Sequence, residues 1–193
     1  EKKSETFLQY YKVDDTPPKI MKGMFGSYLG DCPSGEDIDH GDCYVADDGS
    51  SGVNITAVDP DPTGNQCNVN DVSCSYELWW KTTQENCAIE IGPQNLYNFE
   101  TGECFVEGNS FSDSADIYFT EDSTHTLKVT CEDGLGNSAE DEETFLVDST
   151  PPVTTKTYGL PFYSDGDYHW INSSTPITLN ATDGKVGVDK TYW

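Results

Sequence analysis

Positive charge is scarce in this chain. Its 193 residues hold 10 Lys plus Arg against 35 Asp plus Glu, a formal charge of −25. Such a surface repels phosphate backbones and anionic lipid, which argues against nucleic acid and membrane surfaces as partners. It attracts divalent cations instead. No apolar run approaches the length of a membrane-spanning helix, so direct membrane insertion of this segment is not expected. No window carries a helical apolar stripe. Neither CxxC nor CxxCH occurs, which removes zinc-ribbon and c-type haem readings. His40, His125 and His169 stand in different stretches, and no Gly-x-Ser-x-Gly elbow or other catalytic signature accompanies them, so no enzyme is expected.

What is present reads as strand. Val53, Ile55 and Ala57 alternate with Asn54, Thr56 and Val58; Leu127, Val129 and Cys131 alternate with Lys128, Thr130 and Glu132; Ile177, Leu179 and Ala181 alternate with Thr178, Asn180 and Thr182. Period-two alternation bounded by Gly, Pro, Asn and Asp marks half-buried antiparallel strands. Strands are expected at about Lys19–Phe25, Gly52–Asp59, Ser75–Lys81, Ala115–Thr120, His125–Glu132 and Glu140–Val147, with one or two more within Cys87–Glu107. Gly134-Leu135-Gly136-Asn137 should form a hairpin turn. The fold class is all-β, a sandwich of antiparallel sheets.

The chain also repeats itself. Thr16-Pro17-Pro18 recurs as Thr150-Pro151-Pro152, preceded by Glu5-Thr6-Phe7-Leu8 in one copy and by Glu143-Thr144-Phe145-Leu146 in the other. A fixed period signals an array of one structural unit. Residues 1–15 read as the last strand of a preceding unit, 16–150 as a complete unit, and 151–193 as the first half of a following one. The terminal stretches are expected to complete sandwiches with something outside these residues. Either the polypeptide continues, or the strand around Phe7 and Leu8 inserts into the half-unit of a neighbouring copy. The proline pairs make short, semi-rigid joints.

His125-Thr126-Leu127-Lys128-Val129-Thr130-Cys131-Glu132-Asp133-Gly134-Leu135-Gly136-Asn137, followed by a short strand and Asp-x-Thr-Pro-Pro, resembles bacterial and archaeal Ig-like surface repeats, including the OmpL47-like type. So does Tyr168-His169-Trp170-Ile171-Asn172-Ser173-Ser174-Thr175-Pro176-Ile177-Thr178-Leu179 with its Ala-Thr-Asp-Gly ending. The resemblance implies tandem Ig-like β-sandwiches in an extracellular filament, surface layer or adhesin stalk. Adjacent Ig-like units or further copies of the chain would be its head-to-tail partners. The rival reading is a carbohydrate- or receptor-binding module of a larger secreted protein. For that reading Trp79-Trp80, Trp170 and Trp193 would supply an exposed aromatic patch, whereas alternation puts one of Trp79 and Trp80 in the core.

Seven cysteines suit an oxidising, extracellular compartment. Cys32 with Cys43 and Cys87 with Cys104 have spacings that fit local disulfides. For a third bond Cys67–Cys74 is the nearest pair and the preferred one, leaving Cys131 as a small inward-facing hydrophobe or as an intermolecular partner. Cys74–Cys131 is the alternative, since spacing does not fix connectivity. Sequons at Asn54, Asn172 and Asn180 are candidate glycosylation sites, with Asn54 and Asn180 on the outward side of their strands. Asp14, Asp15 and Asp148 at the joints, with Asp59 and Asp61 at a strand end, are candidate ligands for a hard cation, Ca²⁺. Asp37-Ile38-Asp39-His40-Gly41-Asp42 matches an EF-hand loop only in part. The plainer reading of all these carboxylates is a solvated acidic surface.

Overall fold

The computed structural model describes residues 9, 13–36, 41–60, 72–87, 95–112, 114–119, 121–188 and 190–192. Phe7, Leu8, the Asp37–His40 stretch, Asp61, Cys67 and Trp193 lie outside them. Among the described residues the fold is all-β apart from one four-residue helix, and the chain divides into two units, Glu1–Val147 and Asp148–Trp193.

The first unit contains β1 (Lys19–Phe25), β2 (Tyr28–Gly30), β3 (Ser34–Gly35), β4 (Cys43–Ala46), β5 (Gly52–Val58), β6 (Ser73–Lys81), α1 (Gln84–Cys87), β7 (Asn95–Asn98), β8 (Glu103–Phe111), β9 (Ser114–Tyr118), β10 (Thr124–Glu132) and β11 (Ser138–Asp148), whose last residue opens the second unit. One sheet runs β3-β1-β5-β9 and the other β2-β4-β11-β10-β6-β8-β7. The alternation explains the layering. Val53 and Ile55 on β5 turn inward, as do Leu127 and Val129 on β10 and Phe145 and Val147 on β11; these residues from both sheets make one core. Burying each such side chain contributes roughly 1.5–3 kcal/mol. Trp80 is buried and Trp79 faces outward, as period two requires of neighbours. Gly136 takes a φ of +90° in the β10–β11 turn, a conformation that favours glycine.

Disulfides join Cys32 to Cys43, Cys87 to Cys104 and Cys74 to Cys131. The last corrects the preferred Cys67–Cys74 pairing. Its cause is the ladder: Cys74 on β6 stands directly opposite Cys131 on β10, with Cα atoms 4.1 Å apart. Cys131 is therefore buried as half of a bond.

The second unit contains β12 (Val153–Tyr158), β13 (Phe162–Ser164), β14 (His169–Ile171) and β15 (Ile177–Thr182), paired as two antiparallel ladders, β12–β15 and β13–β14. Tyr158, Phe162 and His169 stack on one another, with ring centroids 5.1 to 5.6 Å apart.

Removing the cross-strand bond tests its contribution. Replacing Cys74 and Cys131 by alanine should lower stability by about 2–4 kcal/mol, since the bond closes a long loop in the unfolded chain. Urea denaturation of the oxidised parent and the double variant measures the difference.

Candidate functional site

Three carboxylates from distant parts of the first unit converge where its opening joint meets two strand ends. Asp14 precedes the Thr16-Pro17-Pro18 joint, Asp59 follows β5, and Asp133 opens the β10–β11 turn. One oxygen from each lies within 4.8 Å of the others, and Asp59 and Asp133 are buried.

Local hydrogen bonding aims each group. Asp133 Oδ1 accepts from the backbone N–H groups of Leu135 at 2.8 Å and Asn137 at 2.9 Å, and Oδ2 accepts from Asn137 Nδ2 at 2.7 Å. Asn137 Nδ2 also donates to the Asp14 carbonyl at 3.4 Å, tying the turn to the joint. Asp14 Oδ1 accepts from the Thr16 N–H at 3.0 Å. Its other oxygen, Oδ2, is buried without a hydrogen-bond partner. Three like charges this close repel one another unless a proton or a cation intervenes. The donor set is all hard oxygen and includes an unsatisfied buried one, which suits Ca²⁺ better than a softer metal.

The predicted ligands thus divide. Asp14 and Asp59 come together. Asp15 is exposed and not in the cluster, and Asp61 lies outside the described residues. Asp148 is not in the cluster; it belongs to the second unit, where its oxygens accept from the N–H groups of Thr150 at 3.0 Å and Val186 at 3.3 Å. Asp133 is not among the ligands expected from the sequence, although it directly precedes the expected Gly134-Leu135-Gly136-Asn137 turn.

A second feature lies on the outer face of the larger sheet. Trp79 and Phe105 are cross-strand neighbours with ring centroids 6.3 Å apart, and Tyr97 meets Phe99 edge to face at 5.1 Å. With Glu77, Glu100 and Glu103 they line a groove of about 840 Å³. The Cys87–Cys104 bond ties α1 to β8. Trp170 is exposed on β14, with its Nε1 donating to Asp165 Oδ2 at 3.3 Å.

His125 is buried between Trp80, stacked at 5.0 Å, and Phe119. His169 lies in the second unit, and His40 outside the described residues. Asn172 and Asn180 are exposed. Asn54 donates from Nδ2 to Asp116 Oδ1 at 2.7 Å, using the atom a glycan would need. Among the described residues no helix is long and apolar enough to cross a membrane.

No family model, curated protein or solved structure matches the chain.

The Asp133 turn predicts a pH dependence. Burial pushes the Asp133 pKa up, but the Asn137 side chain and the backbone N–H groups of Asn137, Leu135 and Gly136 outweigh it, and the net shift is downward. Asp48 is lowered by the Ser50 N–H above all, and Asp165 by the Tyr168 N–H. A carboxyl with a depressed folded pKa stabilises above its unfolded value, about 3.9, and loses that contribution as pH falls through the folded value. Asp47 opposes this: burial, then Asp122, Asp48 and Glu121, raise its pKa. The urea midpoint should therefore fall as pH drops below the ordinary carboxylate range. Asn137→Ala should show a shallower fall, measured without divalent cations.

Proposed function

We propose that the chain is a structural stretch of a tandem array of Ig-like β-sandwiches, working outside the cell in a filament, surface layer or adhesin stalk. One observation carries this reading: the second unit repeats the opening strands of the first, in register. Lys19 pairs with Val58 as Val153 pairs with Thr182, and Tyr28 pairs with Val45 as Phe162 pairs with Ile171. The spacing from Lys19 to Val153 and from Tyr28 to Phe162 is that from Thr16 to Thr150. What differs is the cover. Val45, Val53 and Ile55 are 2%, 0% and 0% exposed, whereas their counterparts Ile171, Ile177 and Leu179 are 46%, 48% and 38% exposed. An apolar sheet face of this kind needs strands like β6, β10 and β11 upon it. In an array, such strands close each sandwich. Three disulfides fit an oxidising setting for that role.

Ca²⁺ held by Asp14, Asp59 and Asp133 would fasten the residue before the proline pair to two strand ends. Free Ca²⁺ at about 100 times Kd should stabilise the protein by about 2.7 kcal/mol, and chelation should reverse the gain. Asp133→Asn should melt at the same temperature with and without Ca²⁺. An unchanged midpoint in the parent would remove the cation from the proposal.

Negative-stain imaging of the native assembly tests the array itself. A periodic thread is the expected result. The aromatic groove favours a second reading, a carbohydrate-binding module, because a Trp and Phe face flanked by carboxylates suits stacking and hydrogen bonding to sugar rings. Isolated particles that bind glycans, with binding lost in Trp79→Ala, would establish that reading and sink the first.

A further inference from the structure

Lys22 stands where the alternation of β1 demands an apolar side chain. Its neighbour two residues earlier, Ile20, is buried on the same side, and its partner across the ladder is Ile55. Its ammonium is in ion-pair contact with Asp141 and Glu143 of β11, on the opposite sheet. The side chains of Lys22, Asp141 and Glu143 are 2%, 9% and 3% exposed. Across the ladder, Asp141 is opposite Val129 and Glu143 opposite Leu127, both buried. One ammonium between two carboxylates leaves a net negative charge in an apolar core, a costly arrangement.

We infer that Lys22 and Glu143 are joined by a side-chain amide. Proton transfer within the contact converts the pair to a neutral amine and a carboxylic acid, the forms that burial favours. Lys22 Nζ then attacks Glu143 Cδ. The C–N bond forms, the Asp141 carboxylate takes the proton shed by nitrogen, and it returns that proton to the departing hydroxyl. The C–O bond breaks and water leaves by the Asp141 side, the most open of the three. The balance is one amine plus one acid giving one amide plus one water, with no oxidant or co-reactant. The fold supplies the approach, holding the reacting groups together in a site where water is scarce. The product also removes the charged pair from the core.

The repeat favours this choice of partners. The position matching Lys22 in the second unit is again a lysine, Lys156, and Glu5 in Glu5-Thr6-Phe7-Leu8 matches Glu143 in Glu143-Thr144-Phe145-Leu146. The position matching Asp141 is Lys3, so the carboxylate there is not repeated. Asp141 acts on the reacting pair as a proton carrier.

Mass spectrometry of the full folded chain, fully reduced and alkylated, tests the bond. The expected intact mass is that of the alkylated sequence less one water. Tryptic digestion should skip Lys22 and yield one branched peptide linking it to Glu143. Lys22→Arg should recover the full sequence mass while keeping a positive charge in the core. Asp141→Ala should also show the full mass while melting cooperatively, because it keeps both partners and removes the proton carrier. A full-mass parent cleaved after Lys22 would overturn the proposal, leaving an ion cluster only. A branch at Asp141 would overturn the assignment of Glu143.

Discussion

A sheet face lined by Val53 and Ile55 cannot stand in water, and the first unit is organised around covering it. The cover comes from Leu127, Val129, Phe145 and Val147 on the other sheet. Each of these faces inward because side chains alternate along a strand, so the same register that pairs β10 with β11 also sets the composition of the core. Trp80, His125 and Phe119 extend the packed layer through ring contacts. Alternation also turns three charged-type side chains inward: Lys22 on β1 meets Asp141 and Glu143 on β11.

The acidity of the chain has a structural use as well as a surface one. Asp14, Asp48, Asp133, Asp148, Asp165 and Asp183 each accept a hydrogen bond at Oδ1 from the backbone N–H two residues on. This local bond fixes a turn without help from the core. Loops between antiparallel strands leave N–H groups without ladder partners, and a carboxylate is a strong acceptor for them. These six carboxylates therefore hold the backbone at turns and at the two proline-pair joints.

The parts legible in the sequence were those set by local pattern. β1 occupies Lys19–Phe25 and β5 occupies Gly52–Val58, close to the stretches that alternation marked, and the β10–β11 turn falls on its glycines. What escaped depends on which strands become neighbours. Cys74 and Cys131 are 57 residues apart in sequence and meet only because β6 pairs with β10. Asp133 reaches Asp14 and Asp59 only once the joint, one sheet and the far hairpin are assembled. Lys22 drew no notice because a lone lysine in an alternating stretch reads as a surface residue until the opposite sheet puts two carboxylates before it. Cysteine-bearing loops around β2, β3, β7 and β8 blurred strand limits, since short strands in polar insertions carry little alternation.

The position of the Cys74–Cys131 bond has a mechanical consequence. A chain pulled from its two ends lengthens only through residues that lie on the path between the points of attachment. The bond short-circuits that path, so the 57-residue interval contributes none of its contour, roughly 190 Å at full extension. β8, β9 and the groove all lie inside this interval. With this bond acting alone, force would peel the flanking strands β1, β5 and β11 while passing around the enclosed segment, which keeps its covalent closure; a Lys22–Glu143 amide would extend the same shielding to β5.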